Sequence, residues 1–162
     1  MPYTPIVATL GYVMSADAQS VLMLHRNTRP DDIHYGKYNG LGGKLDSHED
    51  IASGMQRELS EEAHIEVLQM TMRGTINWPG FGKPGDNWMA FIFRIDRWQG
   101  TPPSHNPEGS LEWVALDRLY DLNLWPGDRH FLPLVFQQDS RQFFGVMPYE
   151  DNQPVGWSYV LL

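Results

Sequence analysis

Apolar residues come in short bursts along this chain, and the spacing within each burst changes with position. Ile6–Met14 (IVATLGYVM) is β-branched and apolar, residues 15–19 have turn composition, and residues 20–24 resume the apolar run. That order predicts a β-hairpin. Residues 27–37 (NTRPDDIHYGK) are polar and contain Pro30 and Gly36, so a surface loop is expected there. The period then shifts. Ala52, Met55, Leu59 and Ala63 recur at helical spacing, and Asp50 is placed to cap the helix they predict, which runs to about Ala63. Strand-like stretches follow at 66–76, 88–96 and 111–115, the first two separated by the turn-rich loop WPGFGKPGDN. Short helical pieces are expected at 118–120 and 128–137. A closing hairpin is expected from 143–149 and 155–161, around EDNQP. No repeat, low-complexity tract or linker interrupts the pattern. The interleaving predicts a single α+β domain over residues 1–162, a mixed β-sheet sandwiched between helices in αβα layers.

A chain of 162 residues can bury roughly 70% of its unfolded surface. With 41% hydrophobic and 20% charged residues it has the composition of a globular domain. The net charge of −8 argues against long nucleic acid as a partner, since no phosphate-neutralising excess is present. A small anionic ligand that arrives with its own metal ions remains compatible with it. The absence of cysteine excludes disulfides and thiolate metal sites. The first 15 residues (MPYTPIVATLGYVMS) lack a basic stretch and a long apolar run, and no later segment reaches membrane-spanning length. A cytoplasmic protein without a membrane partner is therefore expected.

One segment carries too much like charge to pass over. GGKLDSHEDIASGMQRELSEEAHI, from Gly42 to Ile65, contains six carboxylates, and Glu58, Glu61 and Glu62 fall within five positions. On a helix these three stand at i, i+3 and i+4 and share a face beside the Met55 and Leu59 stripe. Such a face can simply be solvated, relieved by Arg57. Gly42 and Gly43 just ahead of it favour another reading: tight backbone geometry with carbonyls free to meet a ligand. Hard cations such as Mg²⁺ prefer carboxylates, carbonyls, phosphates and water, and a glycine carbonyl with carboxylates one turn apart offers a cradle for one. Arg57 is placed to hold Glu49 from the preceding loop.

Gly43, five residues, Glu49, seven residues, then RELSEEAHI from Arg57 to Ile65 resembles the Nudix box, G-x5-E-x7-R-E-U-x-E-E-x-G-U with U aliphatic. Every defined position matches except one, where His64 replaces a glycine. That position lies just past the helix, where a left-handed backbone is needed, so a positive φ at His64 and retained activity are expected. LMLHRNTRPDDIHYGKYNGLGGKL, NPEGSLEWV and LWPGDRHF extend the likeness over most of the chain, to the MutT-type oxidised-purine nucleoside triphosphatases within that superfamily.

The resemblance implies Mg²⁺-dependent (or Mn²⁺-dependent) hydrolysis of 8-oxo-dGTP or a related damaged purine triphosphate to monophosphate and pyrophosphate, which sanitises the nucleotide pool. Carried over residue by residue, it makes Gly42, through its main-chain oxygen, and Glu58, Glu61, Glu62 and Glu108 the metal ligands. Glu58 is the first choice of general base, with Glu61 and Glu108 as rivals, and Arg57 supports them. Arg26 falls where relatives place a phosphate-facing base, although a strand-end Arg is also often a surface charge. Asn39 aligns with a residue that bonds the purine edge, but an Asn before Gly40 equally suits a turn. Asp128 aligns with an acidic purine-reading residue, and Trp125 with an aromatic beside the base. Trp78 and Ile33 occupy base-contact positions of some relatives. Some relatives carry two consecutive acidic residues after Trp-Pro; here the first is Gly127, which points to a narrower or different purine range. The other histidines, His34 among them, lack metal-binding spacing and are expected at the surface or in packing roles. Alternatives within the superfamily are ADP-ribose, a dinucleoside polyphosphate or an RNA 5′ end as substrate. A non-catalytic Nudix-like sensor domain is the alternative of a different class.

Overall fold

The computed structural model describes all 162 residues. Twelve strands form, in chain order, at Ile6–Met14 (β1), Ser20–His25 (β2), Tyr38–Asn39 (β3), Leu41–Lys44 (β4), Ile65–Pro79 (β5), Asn87–Gly100 (β6), His105–Asn106 (β7), Gly109–Ala115 (β8), Phe143–Val146 (β9), Tyr149–Glu150 (β10), Gln153–Pro154 (β11) and Ser158–Leu161 (β12). Helices span Ile51–Ala63 (α1) and Asp128–Phe136 (α2), with a 3₁₀ turn at Leu116–Asp121. Ten strands belong to one mixed sheet ordered β12-β9-β5-β6-β1-β2-β8-β7, with β3 beside β2 and β4 beside β1. At its centre β1 runs parallel to β6, Ile6 opposite Trp88 and Val13 opposite Ile95. The β10-β11 pair forms a small hairpin of its own, set between β9 and β12, which closes the chain as the sequence pattern anticipates.

The central strands are apolar on both faces because both faces are covered. Val13, Leu22, Leu24, Phe93 and Ile95 pack with Met55, Leu59 and Ala63 of α1. Tyr12, Met14, Val21, Met23 and Ile92 point the other way, into a core shared with Phe131, Leu132 and Val135 of α2. Met55 and Leu59 are fully buried, each worth roughly 1.5–3 kcal/mol of apolar burial. The layered αβα arrangement expected from the sequence is thus what forms.

Both ends of α1 are fixed locally. The Asp50 side chain accepts a hydrogen bond from the Ser53 amide at 2.9 Å. At the other end His64 adopts φ 55°, ψ 38°, the left-handed backbone expected of a residue in the glycine position, and its amide donates to the Ser60 carbonyl.

Three boundaries differ from the sequence expectation. The glycine run before α1, expected only as tight backbone, forms strand β4, paired with Ala8–Gly11 of β1. A Cβ on Gly42 would lie 1.9 Å from the Thr9 carbonyl oxygen, so glycine permits the close approach of the two strands. The long β5-β6 hairpin also extends further than its apolar runs, pairing Trp78 with Trp88 and Pro79 with Asn87 and shortening the WPGFGKPGDN loop. Finally, the short helical piece expected at 118–120 is the middle of a longer 3₁₀ turn.

Candidate active site

Along one edge β1 is shared, Ala8–Gly11 pairing with β4 and Val13–Met14 with β2. A cleft of about 490 Å³ opens beside this fork, floored by Ala8, Thr9, Leu10 and Tyr12 and walled by β4, α1, the ends of β5 and β6, and the loops around residues 34, 108 and 125. Two chemically distinct groups of side chains line it.

The first group is acidic and is organised by Arg57. Its guanidinium donates to both oxygens of Glu49, Nε to Oε2 at 2.9 Å and Nη2 to Oε1 at 2.6 Å. This fork holds the Glu49 carboxyl at about 2, helped by the Asp46 amide, which donates to the same carboxylate. Arg57 Nη1 reaches Glu58 at 3.1 Å and Glu61 at 3.4 Å. The Glu58 side chain is 13% exposed and that of Glu61 61% exposed, outside the cleft lining. Glu62 and Glu108 line the cleft beside Glu58. Burial, then the charges of Glu108 and Glu58, push the Glu62 carboxyl far above the ordinary carboxylate range. Its Oε2 is buried with no hydrogen-bond partner. Gly43 passes so close that a Cβ there would meet Glu58 Oε1 at 2.6 Å.

These residues suit a hard cation. No three of the acidic or histidine side chains stand at ligand spacing of one another, because Arg57 draws Glu58 and Glu61 to its side. Yet an unpartnered carboxylate oxygen among three carboxylates is the arrangement that a divalent ion relieves, and it is built wholly of oxygen donors.

Arg26 also lines the cleft, but its guanidinium is already engaged: Nη2 pairs with Asp32, and Nη1 lies 3.8 Å from Glu108 Oε2. Asp32 in turn accepts a hydrogen bond from the His34 amide. Lys44, which the sequence did not single out, lines the cleft with its ammonium 5.7 Å from the centre of the Trp88 ring.

The second group is aromatic. Trp125, Phe81 and Tyr149 meet edge to face, with Phe81 4.9 Å from Trp125 and 5.0 Å from Tyr149, and Trp78 lies 5.8 Å from Phe81. Trp125 Nε1 donates to His34 Nδ1 at 2.8 Å. Burial and the nearby Arg26 charge lower the His34 imidazole to about 4, so it stays neutral and accepts this bond. His34, not Ile33, is the cleft-lining residue of this loop: Ile33 is 44% exposed and does not line the cleft. The one-residue difference follows from the loop backbone, tied by the His34 amide to Asp32.

Asn39 and Asp128 complete this second group, and neither side chain has a hydrogen-bond partner within the protein. Burial raises the Asp128 carboxyl to about 7, against the opposing pull of Lys37 and Arg129. Thr9 Oγ1 and Trp88 Nε1 are buried in the cleft wall, also unpartnered. Of the residues named from the sequence, the structure therefore gathers Arg26, Asn39, Gly42, Arg57, Glu58, Glu62, Trp78, Glu108, Trp125 and Asp128 around one cleft and leaves Glu61 and Ile33 outside its lining. Sequence reasoning missed Thr9, His34, Lys44, Phe81, Trp88 and Tyr149. The only signal for Phe81 and Trp88 was the aromatic richness of residues 78–88, and nothing in the sequence pointed to Tyr149.

Residues 4–135 match the NUDIX domain family. The chain belongs to the Nudix family. Over 120 residues it is 32% identical to the oxidized purine nucleoside triphosphate hydrolase of Mus musculus, covering 74% of each chain. It is 28% identical to the Danio rerio protein of the same name over 120 residues, again 74% of each. Among solved structures, the Mutator MutT protein from Bacillus halodurans superposes with a TM-score of 0.81 at 26% identity, over 95% of this chain and 97% of that one. The fold is the Nudix fold and the protein is a Nudix hydrolase of the MutT type. Nudix hydrolases act on small nucleotide substrates and generally use divalent cations. No helix here is long and apolar enough to cross a membrane.

Proposed function

We propose that this Nudix hydrolase cleaves oxidised purine nucleoside triphosphates of the 8-oxo-dGTP type to the monophosphate and pyrophosphate. The observation that carries this reading is the pairing, in one cleft, of a crowded carboxylate group with an aromatic group in which Asn39 and Asp128 have no partner in the protein. Relatives named as oxidized purine nucleoside triphosphate hydrolases support it.

Glu58, Glu62 and Glu108, with the Gly42 main-chain oxygen, would hold Mg²⁺, which supplies charge neutralisation for the polyphosphate and lowers the pKa of a bound water. Glu61, exposed beside them, would add a ligand for an ion that arrives with the substrate. Glu58, its side chain 13% exposed and held by Arg57 through one oxygen, is the first choice to take a proton from the attacking water. Arg57 would act as a positioning residue, its fork to Glu49 fixing the base of the loop and its Nη1 bond holding Glu58. Lys44 offers a cation to the phosphates that Arg26, occupied by Asp32, offers only in part. In the aromatic group Trp78 and Trp125 flank the base while Asn39 and Asp128 read its edge.

The test is a panel of 8-oxo-dGTP, dGTP, ADP-ribose, a dinucleoside tetraphosphate and capped RNA, assayed with Mg²⁺. The highest kcat/KM is expected on 8-oxo-dGTP, and a clear preference for ADP-ribose or RNA would overturn the assignment. Glu58→Gln should lower kcat about 10²-fold or more while the fold is kept. Unchanged turnover in that variant would remove Glu58 from the chemistry.

A further inference from the structure

We propose that Tyr149 is a specificity-determining residue whose phenolic hydroxyl donates a hydrogen bond to the purine base, so that the cleft prefers a 6-oxo to a 6-amino purine. The inference rests on the proposed purine triphosphate activity and names the feature of the base that is read.

The Tyr149 hydroxyl sits beside Gly127. A Cβ at this position would lie 2.5 Å from the Tyr149 hydroxyl oxygen and 2.2 Å from Met147 Sδ. The volume that a side chain at 127 would fill is therefore already occupied, and its polar occupant is the Tyr149 hydroxyl. The Gly127 amide donates to that oxygen at 3.1 Å. Phe81 packs against the tyrosine ring at 5.0 Å and 76°, and only 4% of the residue is exposed, so the hydroxyl is held in place. With its accepting side taken by the Gly127 amide, the group has one capacity left, which is to donate its proton. Burial and the neighbouring Asp128 raise its pKa, so that the proton is retained throughout the neutral range.

Asp128 follows Gly127 directly and lines the same cleft with an unpartnered carboxyl. An acceptor, Asp128, and a donor, Tyr149, thus line one cleft, near enough for the Asp128 charge to raise the tyrosine pKa. A 6-oxo purine presents the matching order, an N1–H donor next to the O6 acceptor. A 6-amino purine presents the reverse, a bare N1 next to an amino donor, and leaves both Tyr149 and the ionised Asp128 carboxylate unsatisfied, so the comparison is made at about pH 8.5, above the raised Asp128 pKa of about 7. Sites that offer buried hydrogen-bond partners reject such mismatches more strongly than apolar pockets do.

Binding can be measured without catalysis, by calorimetric titration of 8-oxo-dGMP and of the 8-oxo-2,6-diaminopurine deoxynucleoside monophosphate, which differ only along the C6–N1 edge. The wild-type protein should bind the 6-oxo compound at least tenfold more tightly. Tyr149→Phe, which keeps the ring, should bring the ratio within about threefold by weakening 8-oxo-dGMP alone. A second readout needs no variant: in protein labelled with ¹³C at tyrosine Cζ, the Tyr149 resonance should move with 8-oxo-dGMP and stay put with its 6-amino counterpart. A wild-type protein that binds both equally or neither, a ratio unchanged in Tyr149→Phe, or an unmoved resonance would overturn the proposal. Loss of the preference in the variant, in a protein that nonetheless fails to hydrolyse 8-oxo-dGTP, would uphold Tyr149 and remove the proposed reaction instead.

Discussion

Asp128, the proposed reader of the purine edge, sits in the cleft at a cost to stability. Its carboxyl is raised to about 7 by burial, while in the unfolded chain it titrates near 4. Between those values the native state binds a proton that the unfolded state has already lost. Stability from this group therefore falls as pH rises from about 4 to about 7 and stays low above that. Asp128→Asn should be near neutral for stability at pH 4 and stabilising by about 1–2 kcal/mol at pH 8, after allowance for solvent in the cleft. The same change should lower kcat/KM on 8-oxo-dGTP about tenfold or more, because a neutral amide oxygen accepts the purine N1–H more weakly than a carboxylate does. Denaturant titrations at the two pH values check the first expectation and steady-state kinetics the second. Little of this was legible in the composition of the segment. WPGD pointed to a purine pocket only through resemblance, and the sequence could not say that Tyr149, 22 positions away, fills the space beside Gly127. His34 escaped for the same reason, since its partner is Trp125, 91 positions away.

At the scale of elements, α1 was the most legible part of the chain because its determinants are local. Asp50 caps it, its apolar stripe repeats at helical spacing, and its end is marked by one residue forced to positive φ. That residue, His64, has a Cβ where the backbone suits glycine. His64→Gly should stabilise the protein by about 1 kcal/mol in urea denaturation and leave turnover within twofold, since His64 does not line the cleft. A loss of stability would mean that the imidazole makes contacts that outweigh the strain. Strand β4 was illegible for the opposite reason. GLGGK has turn composition, and its extended form depends on pairing with β1, more than 30 residues earlier. The ends of β5 and β6 likewise needed each other, which is why Trp78 lies in a strand where the sequence suggested a loop.

For the whole molecule, the consequential property is a net charge of −8 with part of its acidity packed around a single cleft. Ion binding to the native state alone adds stability by mass action, about 2.7 kcal/mol when the free ion is at a hundred times its Kd. Mg²⁺ or Mn²⁺ should therefore raise Tm by several degrees, EDTA should reverse the rise, and Glu58→Gln should abolish most of it. A Tm indifferent to both ions would remove Glu58, Glu62 and Glu108 as ligands.

The parallel pairing of Ile6 with Trp88 joins segments about half a chain apart, and the wall of the cleft is finished only by Tyr149. During synthesis, the floor laid down by Thr9 and Leu10 must wait for nearly the entire polypeptide before it faces a complete opposite side. A nascent chain halted before β10 has its whole carboxylate helix but an unfinished cleft wall, so the acidic group is in place before the aromatic group is complete.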